Sequence, residues 1–339
     1  MKLYIPSVDQ AAKMIVSAYS DENFERLWDV KEYLENQTVS YTISGDADEF
    51  HNAAVALARV DFYDYAVALL EIGHARYRTN TDILGDILGY GIKCRTKDNL
   101  AQYYRTLSSI PYENWTWRAF TFAFDYLLDD LRNTVDKNKN AAIAKGIEVL
   151  LMEYKENASQ FEDQSDRQKA YMAEYEYYMY RRDINQAMRA LDECIELLPN
   201  KCSQCALKKA DYFFEKGDYE KVIEPAKIAV QVRETQPSIS LGYTYFILAL
   251  SLENTEKTKG GSFDEKRIKP IYNAYNAAII HMEPSRTNLL SQIKKNVSSL
   301  EYEFSIESNI SFPDLQSGKG GKAFTTDQLK NLFMKLQSD

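Results

Sequence analysis

Cys202, Ser203, Gln204 and Cys205 form a Cys-x-x-Cys run, with Cys194 eight residues upstream. A structural zinc takes four ligands, commonly from two such pairs. No second pair exists, and His51, His74 and His281 stand isolated along the sequence. A thioredoxin-type redox use of the same run needs a βαβ context, which the neighbouring sequence lacks. Cys194 and Cys205 are therefore read as small buried residues at helix–helix contacts. Gly318-Lys319-Gly320-Gly321-Lys322 resembles a phosphate cradle only superficially. The Walker spacing fails, and Ala323 stands where a hydroxyl residue is needed. The acidic pairs Asp129-Asp130 and Glu162-Asp163 fit solvated helix faces in a chain with 50 acidic residues. Gly-x-Ser-x-Gly and His-Glu-x-x-His are both absent from the sequence. The expectation is a non-enzyme without cofactor or metal.

The aromatic residues are the more informative group. Tyr occurs 25 times. Tyr171, Tyr175, Tyr177, Tyr178 and Tyr180 fall in one helical stretch with Met172 and Met179. Trp115, Trp117, Phe120, Phe122, Phe124 and Tyr126 fall in another. Residues two apart cannot share a helix face. Most of these rings should wedge between helices, while the remainder must line a groove or lie exposed. Tyr offers apolar area and a hydroxyl at small entropic cost, which suits a binding surface.

The elements that carry these rings read as helices throughout. Ala187, Leu191, Cys194, Ile195 and Leu198 recur with the 3.6-residue period of an amphipathic helix. Pro199 follows where such a helix must stop. Gly217 sits at a helix C′ position and Asp218 at the next N-cap. A second apolar stripe then runs through Val222, Ile223, Ala226, Ala229 and Val230. Ala187 and Val222 stand 35 residues apart, as do Ala66 and Ala101. Further pairs are expected at 115–131 with 140–154, and at 238–252 with 264–282. The last two are separated by the polar, Gly-containing stretch 256–262, read as a mobile loop. Two helices, 8–19 and 22–35, precede the array, and 286–305 reads as a capping helix. With 339 residues, a chain of this kind grows in one dimension instead of enlarging a single core.

Gly217-Asp218-Tyr219-Glu220-Lys221 before a small residue, and Pro199 after Ala187, resemble the tetratricopeptide repeat (TPR). The motif is clear over 168–234 and weaker over 47–109. The resemblance implies an all-α, right-handed α-solenoid of about seven helix pairs. It also implies a small residue on each helix A, a place that Ala54, Gly89 and Ala210 fill; Tyr175 departs from it. Under the family's geometry, Lys169, Met172, Glu176, Met179 and Tyr180, then Gln204, Leu207, Asp211 and Phe214, would face the concave groove.

Residues 1–308 are thus expected to form the repeat array. Residues 309–325 read as a flexible linker and 326–339 as a short amphipathic helix. That last helix would present Leu329, Leu332, Phe333 and Leu336 for docking, with Thr326 as N-cap. The N-terminal residues carry no apolar leader, and no run of 18 apolar residues occurs. A cytoplasmic protein with reduced thiols and no membrane contact is expected. The net charge of −9 speaks against a wholly nucleic-acid-tracking surface. The functional expectation is a scaffold, adaptor or regulatory subunit that takes a peptide or protein in its groove. The alternative is an accessory subunit of a nucleic-acid complex, using Arg181-Arg182, Lys208-Lys209, Lys266-Arg267-Lys269 and Lys294-Lys295.

Overall fold

A computed structural model describes residues 5, 7–40, 43–94, 99–161, 163–232, 241–260, 265–281 and 287–304. The expected linker and C-terminal helix, with Leu329, Leu332, Phe333 and Leu336, lie outside the described residues. Among those described, the chain is all-α, with fifteen α-helices and two short 3-10 turns. They are α1 (Val8–Ser20), α2 (Phe24–Ser40), α3 (Ala47–Ala58), α4 (Tyr63–Arg76), α5 (Thr81–Lys93), α6 (Leu100–Ser108), α7 (Trp117–Asn133), α8 (Lys137–Asn157), α9 (Gln164–Tyr180), α10 (Ile184–Leu197), α11 (Ser203–Glu215), α12 (Tyr219–Val232), α13 (Leu241–Lys259), α14 (Glu265–His281) and α15 (Thr287–Phe304). Within each of two units, most helices adjacent in sequence pack on one another, the arrangement of an α-helical repeat or solenoid. The chain divides into two compact units, residues 1–181 and 182–339.

Helix starts are set by side-chain caps. Asp46 and Glu49 form a reciprocal capping box at the start of α3. Asn80, Thr116, Asp136 and Asp183 accept backbone N–H groups at the starts of α5, α7, α8 and α10. Four of the turns from the first to the second helix of a pair share one backbone device. Glu22, Asp61, Arg182 and Gly217 all have positive φ, between 52° and 71°. Each lies two residues before the first residue of the following helix. Only the last of the four is a glycine, the residue that adopts this conformation without strain.

Within unit 1, α3 packs on α5, α5 on α7 and α7 on α9, so the first helices of successive pairs lie side by side. Glycine allows the closest of these approaches. A Cβ at Gly85 would meet the Ala119 Cα at 2.8 Å, and one at Gly89 would run into the Phe122 ring. Ala54 is fully buried, as expected of a small residue on helix A. Phe120 and Tyr154 stack at 4.8 Å in the core behind α7 and α8. Burying rings of this size contributes about 1.5–3 kcal/mol each. In α9 the buried small residues are Ala170 and Ala173, and Tyr175 is itself buried.

Unit 2 buries Ala210, Val222, Ala226, Tyr245, Ile271 and Tyr275 in one core. Gly217 occupies its expected left-handed position, with α11 ending two residues earlier. Cys194, Cys202 and Cys205 are all buried with free thiols. Cys194 is hydrogen-bonded to Cys205, and that contact together with burial pushes its thiol far above the ordinary range. The expected mobile loop at 256–262 is corrected over its described residues, 261 and 262 lying outside them. Residues 256–259 continue α13, because Thr255 is buried and Glu256 draws Lys259 and Arg267 onto the helix end.

Candidate functional site

The first helices of unit 1 present a stripe of titratable and aromatic side chains, half-buried except for Glu176 and Tyr180, which are exposed. On α7 it comprises Arg118, Phe122 and Asp125; on α9, Lys169, Met172, Glu176, Met179 and Tyr180. Both sets recur at three- and four-residue steps, which keeps them on one face of each helix. Buried residues occupy the opposite face of α7, Ala119, Phe120, Ala123 and Phe124, whereas on α9 the buried Ala170, Tyr171, Ala173, Tyr175 and Tyr177 interleave with the stripe. The alternating aromatics are therefore split between core and surface. Trp115, Phe120 and Phe124 are buried, while Trp117, Phe122 and Tyr126 are half-buried.

A buried ionic network anchors one end of the stripe. Asp86 on α5 is fully buried. Its Oδ2 lies 2.7 Å from Nδ1 of His51 on α3. Its Oδ1 accepts from Arg118 Nε at 3.1 Å and from Nη2 at 2.7 Å. Arg118 Nη2 also donates to the Tyr90 hydroxyl at 3.0 Å. Burial, reinforced by Asp86, pushes that hydroxyl up to about 12. His51 is thus not isolated: three successive first helices are tied through one carboxylate. The sequence signal was present, since His51 and Asp86 stand one 35-residue repeat apart.

Next to this network, Trp117 is shared by two cations. The Lys169 ammonium lies 3.0 Å from the ring centroid and the Arg118 guanidinium 5.3 Å from it. Arg118 also sits 5.4 Å from the Phe122 ring. Lys169 donates to Asp166 at 2.6 Å. Burial lowers its ammonium below the ordinary value; Asp166 opposes that shift and Arg118 adds to it.

Two helical turns further along, the charge order inverts. Asp86, Arg118 and Lys169 are followed seven residues later by Lys93, Asp125 and Glu176. Burial pushes the Asp125 carboxyl up to about 6, with Glu176 adding and Lys93 and Arg132 opposing. Arg132 in turn lies over the Tyr180 ring at 5.7 Å, and the Tyr180 hydroxyl donates to the Leu131 carbonyl at 3.5 Å.

The groove residues expected in unit 1 therefore share one stripe on α9. Those expected in unit 2, Gln204, Leu207, Asp211 and Phe214, are all half-buried on one face of α11. Burial raises the Asp211 carboxyl, and a hydrogen bond with Tyr243 counters it. His74 packs edge-on against Tyr103 at 5.4 Å, and burial lowers its imidazole. His281 stacks on Tyr245. A separate cleft of about 640 Å³ lies between α1 and α3, lined chiefly by Val8, Ala12, Val16, Ala53 and Ala56. Among the described residues, no group of three or more His, Cys, Asp or Glu could hold a metal ion. No helix among them is long and apolar enough to cross a membrane. No family model and no curated protein matches the chain.

Proposed function

We propose that the protein is a TPR-like repeat protein that works as an interaction scaffold, adaptor or regulatory subunit. Its first-helix face takes a peptide or protein edge. The observation that carries this reading is the stripe on α7 and α9. It leaves Met172 and Met179 half-buried and Glu176 and Tyr180 exposed, beside Trp117 and Phe122, which are half-buried against the core. Aromatic and Arg side chains at a partly desolvated surface are the usual anchors of protein interfaces.

The nucleic-acid alternative has less in its favour. Lys209 is ion-paired with Asp192, and Arg267 with Glu256. Cations already paired release little counterion on meeting phosphate.

The reading is tested by affinity capture from the native host, with wild type beside a Met172→Ala/Met179→Ala/Tyr180→Ala variant of unchanged circular dichroism. A protein retained by wild type and lost by the variant supports it. Nucleic acid as the retained species, released steeply by salt, favours the alternative.

A further inference from the structure

The stripe on α5, α7 and α9 has a polarity along the helix axis that a partner must match. At one level, Arg118 and Lys169 flank the Trp117 indole. Asp86 takes Nε and Nη2 of Arg118, and Asp166 takes one Lys169 proton. Among the described residues, Arg118 Nη1 and the remaining Lys169 protons have no hydrogen-bond acceptor. At the second level, Asp125 and Glu176 accept no side-chain hydrogen bond among the described residues, and no described cation reaches ion-pair distance of either. Lys93 and Arg132 act on Asp125 only through space. The surface thus holds spare donors at one level and spare acceptors at the other. Phe122 and Met172 lie half-buried at the intervening turn, where Tyr90 is buried.

The offset of seven residues on both α7 and α9 is two helical turns, roughly 10.5 Å. A polyproline-II segment rises ~3.1 Å per residue with three residues per turn. Its residues three apart face the same way, ~9.3 Å apart. A β-strand places such residues on opposite faces. Aromatic-lined grooves are also the usual seats of polyproline-II segments. Resting on the interaction reading above, we propose that this face takes an extended, polyproline-II-type segment of a partner protein. That segment carries an acidic and a basic side chain three residues apart. The acidic side chain meets Arg118 and Lys169, and the basic one meets Asp125 and Glu176.

The test uses full-length protein and fluorescent probes with Pro-rich frames, read by anisotropy at fixed ionic strength. The probes carry Glu-Pro-Pro-Lys, the reversed Lys-Pro-Pro-Glu, Glu-Pro-Lys, or Gln and norleucine in place of the charges. An Ala-rich helical probe carries the same charges seven apart. One order of the three-residue spacing is expected to bind about tenfold or more tighter than the neutral probe, the size expected of charge-assisted contacts. Lys169→Glu/Glu176→Lys leaves each level with one charge of either sign and should abolish the preference for order. Lys169→Gln/Glu176→Gln keeps Arg118 and Asp125 at their levels and should weaken the preference without reversing it.

Equal affinity for charged and neutral probes overturns the proposal, as does indifference to order. Preference for the helical probe overturns the extended mode. If capture still yields a partner lost in the Met172/Met179/Tyr180 variant, those results leave the interaction reading standing. If neither capture nor any probe shows binding at this face, both readings fall.

Discussion

Asp86 joins His51 and Arg118 across three helices that are remote in sequence: its Oδ2 is 2.7 Å from His51 Nδ1, and its Oδ1 is 2.7 Å from Arg118 Nη2. The carboxylate is fully buried, so its charge is supported by these partners and not by water. Breaking a buried pair from one side strands the remaining charge. Asp86→Ala should therefore lower stability by about 3 kcal/mol. Denaturant unfolding followed by circular dichroism measures this. A loss below about 0.5 kcal/mol, the level of an ordinary surface substitution, would contradict the assigned role.

Gly89 on α5 faces the Phe122 ring on α7 with no room for a Cβ. Gly89→Ala should cost about 1–3 kcal/mol through overpacking, although alanine is the better helix former. Adding Phe122→Leu should recover part of that loss, because the two positions share the same space. Thermal unfolding of the two single variants and the double variant checks both statements. Strict additivity would contradict the contact.

The four left-handed turn residues make a paired prediction. Gly217→Ala forces a Cβ into positive φ and should cost about 1–2 kcal/mol. Arg182→Gly relieves that strain but adds freedom to the unfolded chain, so its effect should stay within about 1 kcal/mol. Chemical denaturation of both variants measures the difference. Equal losses would contradict a shared turn conformation.

Much of this fold could be read from sequence. The helix pairs around Ala187 and Val222 showed because their stripes are apolar and their punctuation is Pro199 and Gly217. The same turn at Glu22, Asp61 and Arg182 was illegible, because charged residues seldom adopt positive φ and give no local sign of it. The end of α13 was missed for a related reason. Residues 256–259 are polar and precede glycine, yet tertiary contacts to Arg267 hold them helical. At the candidate site, the α9 positions were expected from the resemblance to the repeat family alone. His51, Asp86 and Arg118 escaped notice because each looks ordinary in its own helix. Only the repeat spacing, applied to polar residues as it was to alanines, brings them together.

Asp125 supplies a pH dependence. Its folded-state value is raised to about 6 by burial beside Glu176, above the ordinary carboxylate value near 3.8. Between those limits the folded state binds more protons than the unfolded state. This group's contribution therefore falls as pH rises through about 4 to 6. Asp125→Asn should stabilise the protein at pH 7 by roughly 1–2 kcal/mol and have little effect below pH 4. Midpoints of urea unfolding across that range check the slope. A variant that is destabilised at neutral pH would show that Asp125 is already paired.

The central claim is that partners engage the first-helix stripe of unit 1. Its most direct test places a photo-crosslinking amino acid at Met172, on the α9 stripe, or at Met152, which is 51% exposed on α8. Irradiation in the native host followed by mass spectrometry identifies what each position touches. The account predicts a protein adduct at Met172, reduced by the Lys169→Gln/Glu176→Gln changes, and none at Met152. An adduct confined to Met152 would place the binding surface on the second helices and contradict it.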